Sequence, residues 1–324
     1  LAKSFYYRTY FNVAKLGEIF SEFGVPLESL EDTFLSDRST RHSFRPGLKT
    51  FRHTFRIIRF LGSMLRFEKF YLKEYEELSS RYHSLARKIS RDPTPGFYSG
   101  CFRELFEEGK RLAHINIVIP LLMRIYNSRL SRKLKRIGID YDLVRFNEDF
   151  PEIDVLSPLP AIRHIRQLIE ALPSAVKQKC SSYEALVQTK EARHIADELN
   201  NFIARFGHFS ESGNDFSYSK WEEDPDFVYR MILDHTEPKR EQNSILFREV
   251  RYSNLLHPLL RTAYFRAGRF RVYREQISSL YIFGYGLFRN LFLKIGDKFV
   301  NEGILTEKTD IFYLTKPEVD ALVL

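Results

Sequence analysis

Cysteine is almost missing from this chain: Cys101 and Cys180 are the only two in 324 residues, and no C-x-x-C pair occurs. That argues against a disulfide framework and a thiolate metal cluster, and it fits a reducing, cytoplasmic compartment. Long apolar runs are missing too. The most apolar stretch, "INIVIPLLM" at 115–123, is too short to span a bilayer and contains Pro120. No signal-peptide pattern opens the chain. Tryptophan is represented once, at Trp221, whereas 29 Phe and 18 Tyr lift the aromatic share to 15%, which points to helix–helix interfaces filled by large rings. With 44% hydrophobic and 28% charged residues the chain falls among globular proteins. Its net charge of +8 permits an acidic partner without dictating one.

Helical patterning dominates what is present, so the expected fold is mainly α, with long helices and small β elements near the two ends. The opening "SFYYRTYFNV" predicts a strand. Asn12 suits the N-cap of a helix through "VAKLGEIFSEF", closed by Gly24, and Pro26 opens a second short one. From Leu48 to about Arg91 no proline interrupts a 3.6-residue apolar repeat, giving a helix on the order of 65 Å long. Arg52, Arg56, Arg59 and Arg66 share one side of it; a solvated face accounts for them better than a phosphate stripe, because Glu68, Glu74, Glu76 and Glu77 soon reverse the charge. A second long helix follows "DPTPG", with a kink expected at Pro120. The basic segment "NSRLSRKLKRIG" lacks the aromatic and glycine framework of an RNA-binding module, which argues against nucleic acid.

Residues 140–160 form an acidic, proline-rich connection, the place for any subdivision of what otherwise reads as one domain over 1–324. Its carboxylates lack EF-hand spacing, so no metal site is assigned. Helices resume at Pro160–Leu172, Ser182–Gln188, Glu191–Arg205 and in "PDFVYRMILDH". From Lys239 to Asn301 the chain is again largely helical, and between Arg251 and Arg274 six arginines occur without an acid. "GILTEKTDIFYLT" suggests a short hairpin before a helix whose capping box is Thr315 and Glu318. With no initiator Met and a helix so well specified near its last residue, the sequence is expected to be a piece of a longer polypeptide.

One stretch departs from this pattern. In "FGHFSESGNDFSYSKWEEDPDFVYRMI", residues 206–232, small and polar residues crowd between two helical halves. Loops carried on a rigid scaffold are where sites are commonly built. His208 and Asp215 are the candidates for chemistry: the imidazole to orient an acceptor hydroxyl or bind phosphate, the carboxylate to take the hydroxyl proton. Glu211, Asn214 and Trp221 are candidates for substrate contact. Each has a structural alternative, since Asn and Asp commonly hold turns and a lone Trp commonly anchors a core.

Several segments resemble one family in the order in which that family carries them. "YRTYFNVAKLGEIFSEFGVPLESLE" is similar to the start, and "NEGILTEKTDIFYLTKPEVDAL" to the end, of the central domain of phosphoenolpyruvate-synthase-like and rifampicin phosphotransferase-like proteins. "FRVYREQ…FRNLFLKIGDKFVNEG", with Arg271, Arg274 and Glu275, resembles the helices before that end, which adds Arg271 and Arg274 to the substrate-binding candidates. "FGHFSESGNDFSYSKWEEDP" is similar to the family's Gly-His-Arg-Gly-x-Gly-Glu loop. The resemblance implies a modular, dikinase-type phosphotransferase. An ATP-grasp domain, using ATP and Mg²⁺, phosphorylates a histidine on a swivelling domain, which delivers the phosphoryl group to a small-molecule acceptor on the central domain. This chain has neither a glycine-rich nucleotide segment nor a Thr-x-His core, so no cofactor is assigned to it and alone it is expected to be inactive.

It also departs from the family at the loop: Phe209 replaces the arginine, Ser210 and Ser212 replace glycines, and Gly213 replaces the glutamate. Phosphoryl transfer depends on cationic positioning of the moving group. Two readings follow: an acceptor-binding central domain, or a non-catalytic helical scaffold that binds an acidic partner through its basic helices.

Overall fold

The computed structural model describes residues 2–5, 8–11, 54–91, 95–213, 215–235, 245–250 and 257–323. Two compact units divide the chain, Leu1–Lys73 and Glu74–Leu324. In the first, β1 (Ala2–Phe5) and β2 (Arg8–Phe11) form an antiparallel hairpin, registering Ala2 with Phe11 and Phe5 with Arg8. The opening aromatic run is therefore two strands rather than one. The helices expected between residues 12 and 35 lie outside the described residues, as does Arg52. Arg59 and Arg66 are exposed, in keeping with a solvated face.

Helix α1 (Thr54–Ile89, 36 residues) carries the chain into the second unit, which is mainly helical. There α2 (Pro95–Lys135, 41 residues) pairs with the 45-residue α9 (His257–Asn301). Tyr126 meets Phe270 at 4.7 Å between ring centres and Tyr98 meets Phe292 at 6.0 Å, so the two run antiparallel. The ladder that holds them is apolar and helical in spacing: Leu112, Ile115, Ile119, Leu122, Tyr126, Leu130 and Leu134 on α2 are all buried. Each such side chain stabilises the fold by about 1.5–3 kcal/mol. This burial on both flanks of Pro120 explains why α2 runs on through the proline: one missing backbone bond is a small loss against a buried seam of this length. The C-terminal part of α1 is tied to α2 by Arg111–Glu74 (2.6 Å) and by Arg81–Glu108 (2.7 Å), with Glu108 buried between the two arginines.

The acidic connection is short structure rather than open loop. It contains a 3-10 turn (Tyr141–Leu143), β3 (Val144–Arg145) and α3 (Glu152–Leu156). Strand β3 pairs in parallel with β4 (Ile245–Leu246). Next comes a cluster built from α4 (Pro158–Glu170), α5 (Ser174–Lys179), α6 (Tyr183–Gln188), α7 (Arg193–Phe206) and α8 (Pro225–Asp234). Ile162, Ile165, Leu199, Phe202, Val228 and Ile232 are among its core, and the buried Tyr229 hydroxyl donates to the Cys180 carbonyl at 2.7 Å.

The C-terminal hairpin expected in "GILTEKTDIFYLT" does not form. Lys308–Tyr313 is a 3-10 helix, because the Asp310 carboxylate accepts from the Glu307 backbone N–H (2.9 Å) and turns the chain. The capping pair Thr315–Glu318 does form, opening α10 (Lys316–Val323), with Glu318 accepting from the Thr315 N–H at 2.6 Å and hydroxyl at 2.8 Å.

Candidate functional site

Helix α7 buries Ile195, Ala196, Leu199, Phe202 and Phe206 on one face and stops at Gly207. A Cβ at Gly207 would come 2.8 Å from the Glu222 side chain, closer than real contacts allow, so only glycine lets the returning chain approach. That return is stitched by two backbone bonds, Glu222 N–H to the Gly207 carbonyl (3.0 Å) and Trp221 N–H to the Phe209 carbonyl (2.8 Å), and by an antiparallel bridge between Ser210 and Lys220. The polar stretch is thus a loop with a closed neck.

Within it, Gly213 takes a φ of +63°, which side chains resist, and its N–H donates to the Ser210 hydroxyl at 3.0 Å. Asp215 is exposed, and one carboxylate oxygen accepts from the Ser217 N–H (2.9 Å) and hydroxyl (2.6 Å) in an Asx turn. The Phe216 ring then inserts against α9, parallel to Phe292 at 5.5 Å and close to Phe288 and Phe312.

Arg289 of α9 holds this loop down. Its side chain is only 4% exposed. The guanidinium grips both Glu223 oxygens (2.7–3.0 Å) and donates to the carbonyls of Phe216 (3.1 Å) and Ser217 (2.7 Å), beneath the Phe312 ring. A planar fork engaged on both edges is what arginine provides and lysine does not. Burial works to raise the Glu223 carboxyl, but the Arg289 bonds and charge, with help from Lys220, bring it below its usual value. Lys220 is itself buried, pairs with Glu222, and lies over Gly286.

His208 sits at the inner wall. Its Nε2 is 3.1 Å from the Ser279 hydroxyl of α9, and its ring is confined by Phe209 (4.7 Å) and Phe283 (5.9 Å). Burial is the main reason its pKa is depressed to about 4, with Lys220 assisting and Glu222 opposing. At neutral pH the imidazole is therefore uncharged. Together His208, Ser210, Asp215, Tyr218, Lys220, Tyr285 and Arg289 line a cleft whose inner space, about 10 Å³, is roughly the room of one water molecule.

The structure brings His208 and Asp215 to this one cleft. Glu211 is exposed on the same loop and does not line the cleft, and Asn214 lies outside the described residues. Trp221 is a core residue here, stacked between Phe202 (5.8 Å) and Phe209 (5.4 Å) and 9% exposed. Phe209 is part of the same stack.

Arg271 and Arg274 are elsewhere. Arg271 lies over Phe146 (4.3 Å) and donates to the Tyr141 hydroxyl (2.5 Å), and Arg274 is exposed beside Glu275. The α9 residues that do line the cleft are Ile282, Tyr285, Gly286 and Arg289. Sequence reasoning passed over Arg289 and Ser279. For Arg289 a signal exists: it is the lone charge in "YIFGYGLFRNLFL", and a cation inside an apolar helix face requires a buried partner.

Among the described residues no helix is long and apolar enough to cross a membrane, and no cluster of His, Cys, Asp and Glu could hold a metal ion. Residues 153–262 match the family model described as the rifampicin phosphotransferase fourth domain, a span that includes the whole loop but ends before Ser279 and Arg289. A rifampicin phosphotransferase of Bacillus cereus is 25% identical over 191 residues, which cover 52% of this chain and 21% of that protein. The chain thus spans about a fifth of the length of the curated relative it matches. With its polar loop inside the matched span, the chain resembles the rifampicin phosphotransferases, as the order of its sequence segments implied.

Proposed function

We propose that this chain is the central, acceptor-binding domain of a phosphoenolpyruvate-synthase-like phosphotransferase. In this reading, ATP-grasp and phosphohistidine domains of the same polypeptide, with ATP and Mg²⁺, supply the phosphoryl group to a small-molecule acceptor. The observation that carries the proposal is the convergence of a half-buried, neutral His208 and the Asp215 carboxylate on one cleft beside the loop. A neutral imidazole orients an acceptor hydroxyl without adding charge, and the carboxylate accepts the hydroxyl proton as its oxygen bonds to phosphorus. The phosphorus–nitrogen bond of the donor phosphohistidine breaks, and its electron pair stays on that histidine. The cleft as it stands is too small for an acceptor, so the loop has to lift to admit one.

The test uses a polypeptide that joins this chain to its ATP-binding and phosphohistidine domains, supplied with radiolabelled ATP and candidate acceptors. His208→Ala is expected to abolish label on the acceptor and to leave label on the phosphohistidine. Equal acceptor labelling by the variant and the wild type would overturn the reading.

A second reading, the non-catalytic scaffold, draws on a specific observation: Lys220 and Arg289, the cations of the cleft, are committed to Glu222, Glu223 and backbone carbonyls, and Phe209 stands at the family's arginine position. It predicts a labelled phosphohistidine with no acceptor product at all, together with salt-sensitive binding to an anionic polymer such as heparin.

A further inference from the structure

The hydrogen bond between His208 and Ser279 joins the matched loop to a helix outside the matched span, across 71 positions of sequence. A neutral imidazole carries one proton and one lone pair, and the partner of either nitrogen decides which is where. Free imidazole side chains favour the proton on Nε2. Here Nε2 faces a serine hydroxyl at 3.1 Å. A helical serine can turn its hydroxyl to the carbonyl one turn back, but Ser279 makes no such bond; His208 is the hydroxyl's partner among the described residues. With the hydroxyl hydrogen turned to Nε2, that nitrogen accepts it and the ring proton stands on Nδ1. Phe209 and Phe283 keep the ring from rotating out of this arrangement.

We propose that Ser279 is a positioning residue of this site: its hydroxyl holds His208 in one plane and in the form protonated at Nδ1. The inference rests on the acceptor-domain reading for its consequence. His208 then offers a ligand an N–H donor rather than a lone pair, which gives it the orienting role and leaves proton removal to Asp215.

Nitrogen-15 spectra of the histidine rings of the whole chain test this without any ligand. Wild type is expected to show a pyrrole-type Nδ1 and a pyridine-type Nε2 for His208. In Ser279→Ala the Nδ1–H form should lose its predominance, and Ser279→Thr, which keeps a hydroxyl, should restore it. Because burial rather than Ser279 sets the acidity of the ring, titration near pH 4 should survive in both variants. A pyrrole-type Nε2 in wild type, or an unchanged tautomer in Ser279→Ala, overturns the inference. In the phosphoryl-transfer assay, a correct tautomer with no acceptor labelling at all would instead count against the acceptor-domain reading and leave the role of Ser279 standing.

Discussion

Arg271 and Arg289 lie 18 residues apart on α9, five helical turns, and so share one face of the same helix about 27 Å apart. Each docks a connection onto that face, and they do it differently. Arg271 holds the 141–149 segment through one tyrosine hydroxyl and two ring faces, and its Nε has no hydrogen-bond partner. Arg289 holds the 206–223 loop with a bidentate carboxylate and two carbonyls, out of water. The lesson is that sequence context ranks these arginines in the wrong order. Arg271 stands out in an acid-free run, yet Arg289, inconspicuous among aromatics, carries the stronger constraint and sits at the cleft.

Removing each guanidinium in turn separates the two arginines. Arg289→Met should lower unfolding stability by about 3 kcal/mol, because it strands Glu223 and two backbone carbonyls. Arg271→Met should cost about 1–2 kcal/mol, the scale of one hydrogen bond and a ring contact. Urea titrations of the two variants measure both, and equal losses would erase the distinction.

The next effect in size separates the regions by pH. The folded pKa of His208, about 4, lies below the unfolded value of 6.5. Between those values the unfolded chain binds a proton that the folded chain refuses. Stability should therefore fall by roughly 3 kcal/mol as pH drops from 6.5 to 4, and His208→Gln should flatten that slope. Glu223 acts lower down: its depressed carboxyl adds stability above its unfolded pKa that is lost with further acidification. Arg271→Met should leave the His208 slope in place.

Smallest are the exposed positions. Asp215→Ala removes an Asx turn and should cost no more than about 1 kcal/mol. Arg274→Ala, exposed beside Glu275, should stay within about 0.5 kcal/mol. If Asp215→Ala is that mild in thermal unfolding yet abolishes acceptor labelling, its role is chemical; if it is silent in both, the residue only shapes the loop.

Much of the fold was legible in the sequence because it is written in local terms. The apolar repeat marked α4, α7 and α8 to within a few residues, and Thr315 with Glu318 marked the start of α10. The polar loop was visible as an interruption of that repeat. Other features depend on what packs where. Pro120 lies inside α2, which continues through it on a buried seam, and "GILTEKTDIFYLT" has strand-forming residues but an Asp310 that turns it into a 3-10 helix. The pairing of His208 with Ser279, and of Glu223 with Arg289, spans 71 and 66 positions, and no local pattern announces contacts of that range.

The most direct test of the account is the titration of the His208 ring by NMR in wild type and in Arg289→Lys. A half-buried ring under a clamped loop predicts a midpoint near pH 4 in wild type and a rise toward 6.5 when the clamp is loosened. A wild-type midpoint near 6.5 would contradict the half-buried, neutral histidine on which the site is built, and a value of 4 untouched in Arg289→Lys would contradict the clamp.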